Sequence, residues 1–221
     1  TAPNFDLLLA ACCTTSHALF PNFLFLDTPF NKHELWRADD PKRYLNEIAT
    51  MGCRTRVFEN LNGPKTSVGR GNLSFTTMNL PRLAIEATIE AGRDLPEGTA
   101  QERQQRAKEF FLRSVREVAR FIAEQLYQRY LYQRSALARQ FPFMMGNDVW
   151  KGGGKLSPQE EVGDVFNSGT LGIGFLGGHN AMVAIYGEGH GRNQEAWDTL
   201  YEAIQVMNEV VQEYKEKYKL N

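Results

Sequence analysis

Paired cysteines are what this sequence most conspicuously lacks. It has three in 221 residues: Cys12 and Cys13 are adjacent and Cys53 stands alone. That set excludes a disulfide framework, and with no CxxC or HxxxH pairing among so few histidines it excludes a finger-type zinc site; no metal is expected. Charge of one sign is also missing. Lys and Arg total 25 against 26 Asp and Glu, a formal net charge of −1, too little excess to hold nucleic acid by its phosphates. Nor is there a long apolar run. LLLAACC is far too short to cross a bilayer, and the N-terminal stretch has neither the basic lead nor the cleavage site of a signal peptide. A cytoplasmic protein with reduced thiols and no membrane contact is expected. The chain opens on TAPNFDLLLAACC without an initiator methionine and stops on the polar run EYKEKYKLN, the ends expected of a piece of something longer.

What is present reads as one α/β domain over residues 1–221. PNFLFLD (21–27) is a short apolar run bounded by prolines and suits a buried strand. PKRYLNEIATMG (41–52) suits a short helix, with Pro41 in its first turn and Gly52 near its end. FENLNGPKTSVGRG reads as loop, and LSFTTMNL (73–80) as a strand ended by Pro81. From 101 to about 140 there is neither proline nor glycine. Phe111, Val115, Val118, Ile122, Leu126 and Tyr130 recur there every three or four residues, which predicts one long amphipathic helix or two with a kink. Its arginine-rich and glutamine-rich face, interspersed with glutamate, reads as a solvated or intersubunit surface.

Further on, LSPQEEVGDVFNSG predicts a helix capped by Ser157, with Pro158 at its first position, Glu160 closing a capping box and Gly169 ending it. TLGIGFLGG reads as a glycine-laced strand and HNAMVAIYG as a short helix. The closing helix should present Trp197, Leu200, Tyr201, Ile204, Met207, Val211 and Tyr214 on one stripe. Strands alternating with helices imply a mostly parallel sheet.

The chemistry centres on MGCRTRV (51–57). A lone cysteine is most often a small buried hydrophobe. Cys53, however, falls just past an element end, between Gly52 and the cations Arg54 and Arg56, which could favour a thiolate. A nucleophilic cysteine wants a histidine base. His17 and His33 lie in unremarkable settings, and His179 and His190 flank a glycine-rich strand exit as structural or solvent-facing groups, so nothing supports a Cys-His pair.

MGCRTRV followed by GRGNLSFTTMNLPRLA (69–84), with TLGIGFLGGHNAM further on, resembles the core of the anaerobic, class III ribonucleotide reductases, a family of glycyl radical enzymes. The likeness runs from about residue 20 to the end. It implies that the chain is the central and late part of a ten-stranded α/β barrel of the glycyl radical enzyme type with long flanking helices. The implied activity is reduction of ribonucleoside triphosphates at the ribose 2′ carbon. Cys53 matches the thiyl radical cysteine and Asn72 the active-site asparagine that hydrogen-bonds the ribose hydroxyls. Met51 matches members that use formate as reductant. Gly71, Gly174 and Gly177 would let substrate approach, although a turn role for Asn72, a packing role for Met51 and tight helix-strand packing for the glycines stay open. A radical SAM activating enzyme, deoxynucleotide or ATP effectors and a homodimer are the implied partners.

The resemblance also implies features beyond this stretch: a glycyl radical loop, a cysteine-rich zinc site, a partner cysteine and an N-terminal nucleotide-binding cone. Without the radical glycine the isolated chain is expected to be inactive, and no cofactor is expected within it. Cys12 and Cys13 are similar to the vicinal pair of pyruvate formate-lyase but lack its surroundings, and read as core or helix cysteines. Two other readings remain, a non-catalytic nucleotide-binding or dimerisation homologue and an ordinary cysteine-dependent transferase or hydrolase.

Overall fold

In the computed structural model, residues 3–26, 28–52 and 55–221 are described, and they form two units. The first spans residues up to Glu59 together with Lys65–Val68; the second is Asn60–Pro64 with Gly69–Asn221.

The first unit opens with α1 (Phe5–Ala18), none of whose residues is buried. Cys12 and Cys13 sit on this helix, both exposed, so they are helix cysteines and not core ones. The strand expected at 21–27 does not form over its described residues. Phe23, Leu24, Phe25 and Leu26 are 40–59% exposed, because no described segment pairs with them and the chain turns instead, Thr28 Oγ1 and Asn31 Nδ2 both donating to the Phe25 carbonyl. The helix expected at 41–52 shortens to one 3-10 turn at Arg43–Asn46 and gives way to β1 (Ala49–Met51). β1 pairs antiparallel with β2 (Thr55–Val57), Ala49 opposite Val57 and Met51 opposite Thr55. Ile48, Val57 and Phe58 are this unit's buried apolar residues among those described.

The second unit carries the parallel sheet. β3 (Asn72–Asn79) and β4 (Thr170–Leu176) run side by side, with an irregularity between Asn72 and Ser74. Each passes directly into a helix, β3 into α2 (Leu80–Asp94) and β4 into α5 (Gly178–Tyr186). Asn79 makes the first join by accepting from Arg82 N–H at 3.2 Å, with Pro81 in the first turn, where its missing N–H costs nothing. Gly177 makes the second at φ +72°. A Cβ there would lie 2.6 Å from Pro81 Cδ, so glycine is required both by conformation and by the closeness of the two joins.

α3 (Ala100–Arg134) is one continuous helix of 35 residues, about 50 Å long. Its start is a capping box: Thr99 N–H donates to Glu102 Oε2 at 2.7 Å and Glu102 N–H to Thr99 Oγ1 at 3.2 Å. The expected stripe is the one buried, with Phe111, Val115, Ile122, Leu126 and Tyr130 under 5% exposed and Ala107, Ala119 and Ala123 filling the spaces between. All of these but Ala123 and Tyr130 meet Ala84, Ala87 and Ala91 of α2 and the inner face of α6 (Gln194–Tyr218) in the main core. The α6 stripe is rotated by about one residue from expectation. Ala196, Thr199, Ala203, Val206 and Val210 turn inward, while Trp197 and Tyr201 are 53% and 57% exposed. Alanine on both helices brings them close, and that contact leaves no room for the large aromatics.

The predicted helix over 157–169 is replaced by turns and a 3-10 segment, Gly163–Ser168. Only half of its capping box forms, Ser157 N–H donating to Glu160 Oε2. The backbone of 160–162 is instead taken by the chain after α3: Ala138 N–H donates to the Glu160 carbonyl and Val162 N–H to that of Ala136, each at 2.8 Å. Tyr130, Trp150 and Phe166, with Met145 of the short helix α4 (Pro142–Gly146), form a second core beneath the N-terminal end of β3.

Candidate functional site

Cys53 and Arg54 lie outside the described residues. Around them in the chain, Met51 ends β1 half-buried, and Gly52 is exposed with φ +60°, a backbone position suited to glycine. Arg56, on β2, has a structural occupation. It donates to the Phe30 carbonyl at 2.6 Å, approaches Glu59 at 3.8 Å and lies over the Phe30 and Phe58 rings.

In the second unit three of the sequence-derived positions, Gly71, Asn72 and Gly177, fall at the ends of the parallel pair, and Gly174 falls within it. Asn72 is the first residue of β3, exposed and opposite Thr170. Gly71 precedes it and is buried because Trp150 needs the space: a Cβ on Gly71 would sit 2.6 Å from Trp150 Cζ3. The indole is pinned by Nε1–H donating to the Val165 carbonyl at 3.0 Å, and its ring lies 4.8 Å from that of Phe166. Gly174 is mid-strand opposite Thr77, whose Oγ1 would be 3.6 Å from an added Cβ, ordinary contact. Gly177 is at the far end, against Pro81. Packing alone thus accounts for glycine at 71 and 177, whereas at 174 there is room for more.

The face of the sheet away from the main core presents Phe75, Thr77 and Asn79, all exposed, with Gly172 and Gly174 beside them on β4. The edge of β3 is served by α3. Arg129 Nη1 donates to Ser74 Oγ and Thr76 Oγ1, each at 3.2 Å, and Gln133 Nε2 donates to the Leu73 carbonyl at 2.9 Å. Much of the charged face of α3 is likewise spent inside the unit: Arg116 and Arg120 bind Glu209 and Glu213 of α6 at 2.6 and 3.0 Å, and Glu124 accepts from Lys217 Nζ at 2.6 Å and from Tyr218 Oη at 2.5 Å. The hydrogen bond from Lys217 holds the Glu124 carboxyl below the usual carboxylate range, and the same bond raises Lys217.

Beside Asn72 lies a cavity of about 180 Å³ with aromatic walls, Trp150, Phe141 and Phe166, and with Met144 and Gln133 on its border. Sequence reasoning missed both Trp150 and Gln133. GRGN did hint at a close neighbour, because Gly71 precedes a strand where no turn demands glycine; nothing local marks Gln133, one of many glutamines on α3. His179, in the first turn of α5, packs edge to face with His190, in the segment joining α5 to α6, with ring centres 5.7 Å apart. No helix among the described residues is long and apolar enough to cross a membrane.

Parallel strands that each lead straight into a helix define an α/β scaffold. The chain belongs to the anaerobic ribonucleoside-triphosphate reductase family, whose family model matches residues 1–221. Among curated relatives, it is 25% identical over 193 residues to the protein of that name from Escherichia coli K12, covering 85% of this chain and 23% of that protein. The Haemophilus influenzae protein is also 25% identical, over 192 residues with the same shares. The phage T4 protein is 24% identical over 187 residues, 83% of this chain and 27% of its own length. The chain therefore spans about a quarter of the length of the curated relatives it matches.

Proposed function

We propose that this chain is the part of an anaerobic ribonucleoside-triphosphate reductase that carries the thiyl radical cysteine, Cys53, and the ribose-binding asparagine, Asn72. The observation that carries the reading is the family match over the whole chain. In this reading β3 and β4 are neighbouring strands of the ten-stranded barrel, and Phe75, Thr77, Asn79, Gly172 and Gly174 face its interior. The exposure of β3 residues on that face supports the assignment, since a closed barrel would cover it.

Cys53 acts through its sulfur. S–H and activated C–H bonds are similar in strength, so a Cys53 thiyl takes the ribose 3′ hydrogen reversibly, giving Cys53 S–H and a C3′ radical, and later returns it. Asn72 orients the ribose hydroxyls by donating and accepting through one amide. Reduction at C2′ replaces the hydroxyl by hydrogen. With formate as reductant, one formate and one proton give carbon dioxide and water, which balances the step. Met51 marks the formate-using type. Gly71, Gly174 and Gly177 keep the approach to the strands open to substrate. A glycyl radical elsewhere in the full-length protein supplies the oxidising equivalent, and a radical SAM enzyme generates it. Deoxynucleotide or ATP effectors, a homodimeric assembly and a cytoplasmic setting complete the proposal.

The test is anaerobic turnover by the full-length polypeptide that carries this chain, activated and supplied with ribonucleoside triphosphate and formate. Cys53→Ser should abolish deoxynucleotide formation, because serine O–H is too strong to be exchanged with ribose C–H. Asn72→Ala should cost roughly tenfold to a hundredfold. Turnover surviving in the Cys53→Ser protein would overturn the reading.

A further inference from the structure

The alternation of side chains along β3 breaks at one point. Phe75, Thr77 and Asn79 are exposed, while Thr76 is half-buried and Met78 buried, the period of two expected of a strand with one open face. Carried back unbroken, that period would expose Leu73 and turn Asn72 to the covered face beside Ser74. The opposite is found. Leu73 packs against the second core, Ser74 is met from α3 by Arg129, and Asn72 is exposed. Two consecutive side chains therefore face the helices. The register shows why: Asn72 stands opposite Thr170 and Ser74 opposite Leu171, which leaves Leu73 without a partner on β4. This is a β-bulge, and its one extra residue reverses the face of the residue before it.

A bulged residue gives up its place in the ladder, so its backbone needs other partners. Gln133 Nε2 supplies one, reaching from α3 to donate to the Leu73 carbonyl at 2.9 Å. The Leu73 side chain is seated against Gly169, where an added Cβ would lie 2.5 Å from Leu73 Cγ. Strand pairing resumes just before the bulge, Thr170 N–H donating to the Gly71 carbonyl at 2.9 Å.

We infer that Gln133 is a positioning residue: by holding the bulge at Leu73 it turns Asn72 to the open face of the sheet, the face that carries Thr77 and Asn79. The inference rests on the reductase reading, which gives that face to the substrate and the ribose hydroxyls to Asn72. In a regular strand the Asn72 amide would point at the helices, away from any ribose on the open face. Bulges recur beside active sites because they re-aim a side chain in this way.

The experiment is a double-mutant cycle on kcat/KM for a ribonucleoside triphosphate in the activated full-length protein, with circular dichroism showing that each variant folds. Gln133→Met keeps the length of the side chain and removes the donor. It should lower kcat/KM about tenfold, and in the Asn72→Ala background it should lower it no further, because a misdirected Asn72 and a missing one are equivalent. A residue that only supports the fold would cost the same factor in both backgrounds. Gly169→Ala, which displaces the Leu73 side chain, gives a second cycle with the same expectation and settles the question where Gln133→Met does not fold. If Asn72→Ala is impaired but Gln133→Met keeps full activity, or costs the same factor in both backgrounds, the positioning role is overturned and the ribose reading stands. Full activity in Asn72→Ala overturns both.

Discussion

At Gly71 a single missing methyl group decides the local arrangement. Gly71→Ala places a Cβ 2.6 Å from the Trp150 ring, which is itself anchored to Val165. The ring has to tilt or the strand has to shift, and such overpacking costs about 1–3 kcal/mol. The expected outcome is a lower midpoint in urea together with an altered tryptophan emission; an unchanged midpoint would mean that Trp150 moves freely. Phe111, fully buried on α3, is the opposite case. Phe111→Ala leaves a void among close-packed alanines that cannot collapse, and should cost about 3–5 kcal/mol by chemical denaturation. Of these two residues only Phe111 was legible beforehand, since its spacing on α3 marks it as core. The reason for Gly71 sits 79 positions away in the chain, where no local pattern can reach.

Between elements, the contact of α3 with α6 joins an alanine-lined core to a row of ion pairs. Glu124 is depressed in the folded state by its bond from Lys217, and Lys217 is raised by the same bond. The Glu124 contribution is thus present above the carboxylate's unfolded pKa and is lost as pH falls through the lower folded value. The Lys217 contribution is present below the lysine's unfolded pKa and is lost only as pH rises through the higher folded one. Stability should be flat around neutrality and decline towards acid as Glu124 protonates, and Glu124→Gln should remove part of that acid dependence in thermal melts run from pH 7 down. A curve of the same shape in Glu124→Gln would show the pair to be idle. At the other end of α3, Thr99→Ala removes the capping oxygen and should cost about 1 kcal/mol. The existence and length of α3 were legible because apolar periodicity over so many residues leaves little choice. The rotation of α6 was not. Its largest residues, Trp197 and Tyr201, suggest an inward stripe, but the face that packs is set by how near the alanines of α3 allow it to come.

For the molecule as a whole, the two hydrophobic cores both fall in the second unit. Its connecting segment Asn60–Pro64 is tied to it: Asn62 Nδ2 donates to the Asn167 and Lys219 carbonyls at 3.0 and 2.8 Å, and Leu61 N–H to Asn221 Oδ1 at 2.7 Å. Residues 60–221 expressed alone should therefore keep the helical circular dichroism and melt in one cooperative transition. The first unit alone, with three buried apolar residues among those described, should not. If 60–221 melted broadly or lost its helicity, the second unit would not be autonomous.

By itself, the sequence determined the elements whose signal is local and the chemistry whose signal is a motif. α3, β3, β4, α5 and α6 follow from periodicity, β-formers and glycine or proline breaks within each segment. Cys53 and Asn72 were named from MGCRTRV and GRGN by resemblance. Only the tertiary structure decided which competing partner each segment takes. Residues 160–162 abandon a well-signalled helix start because the chain after α3 offers them backbone hydrogen bonds. The apolar run at 23–26 forms no strand, because no described segment lies alongside it. Gln133 and Trp150 become candidate site residues because the fold brings them to Asn72. Hydrogen-bond partners and packing neighbours distant in sequence are properties of the assembled chain, and no window of residues contains them.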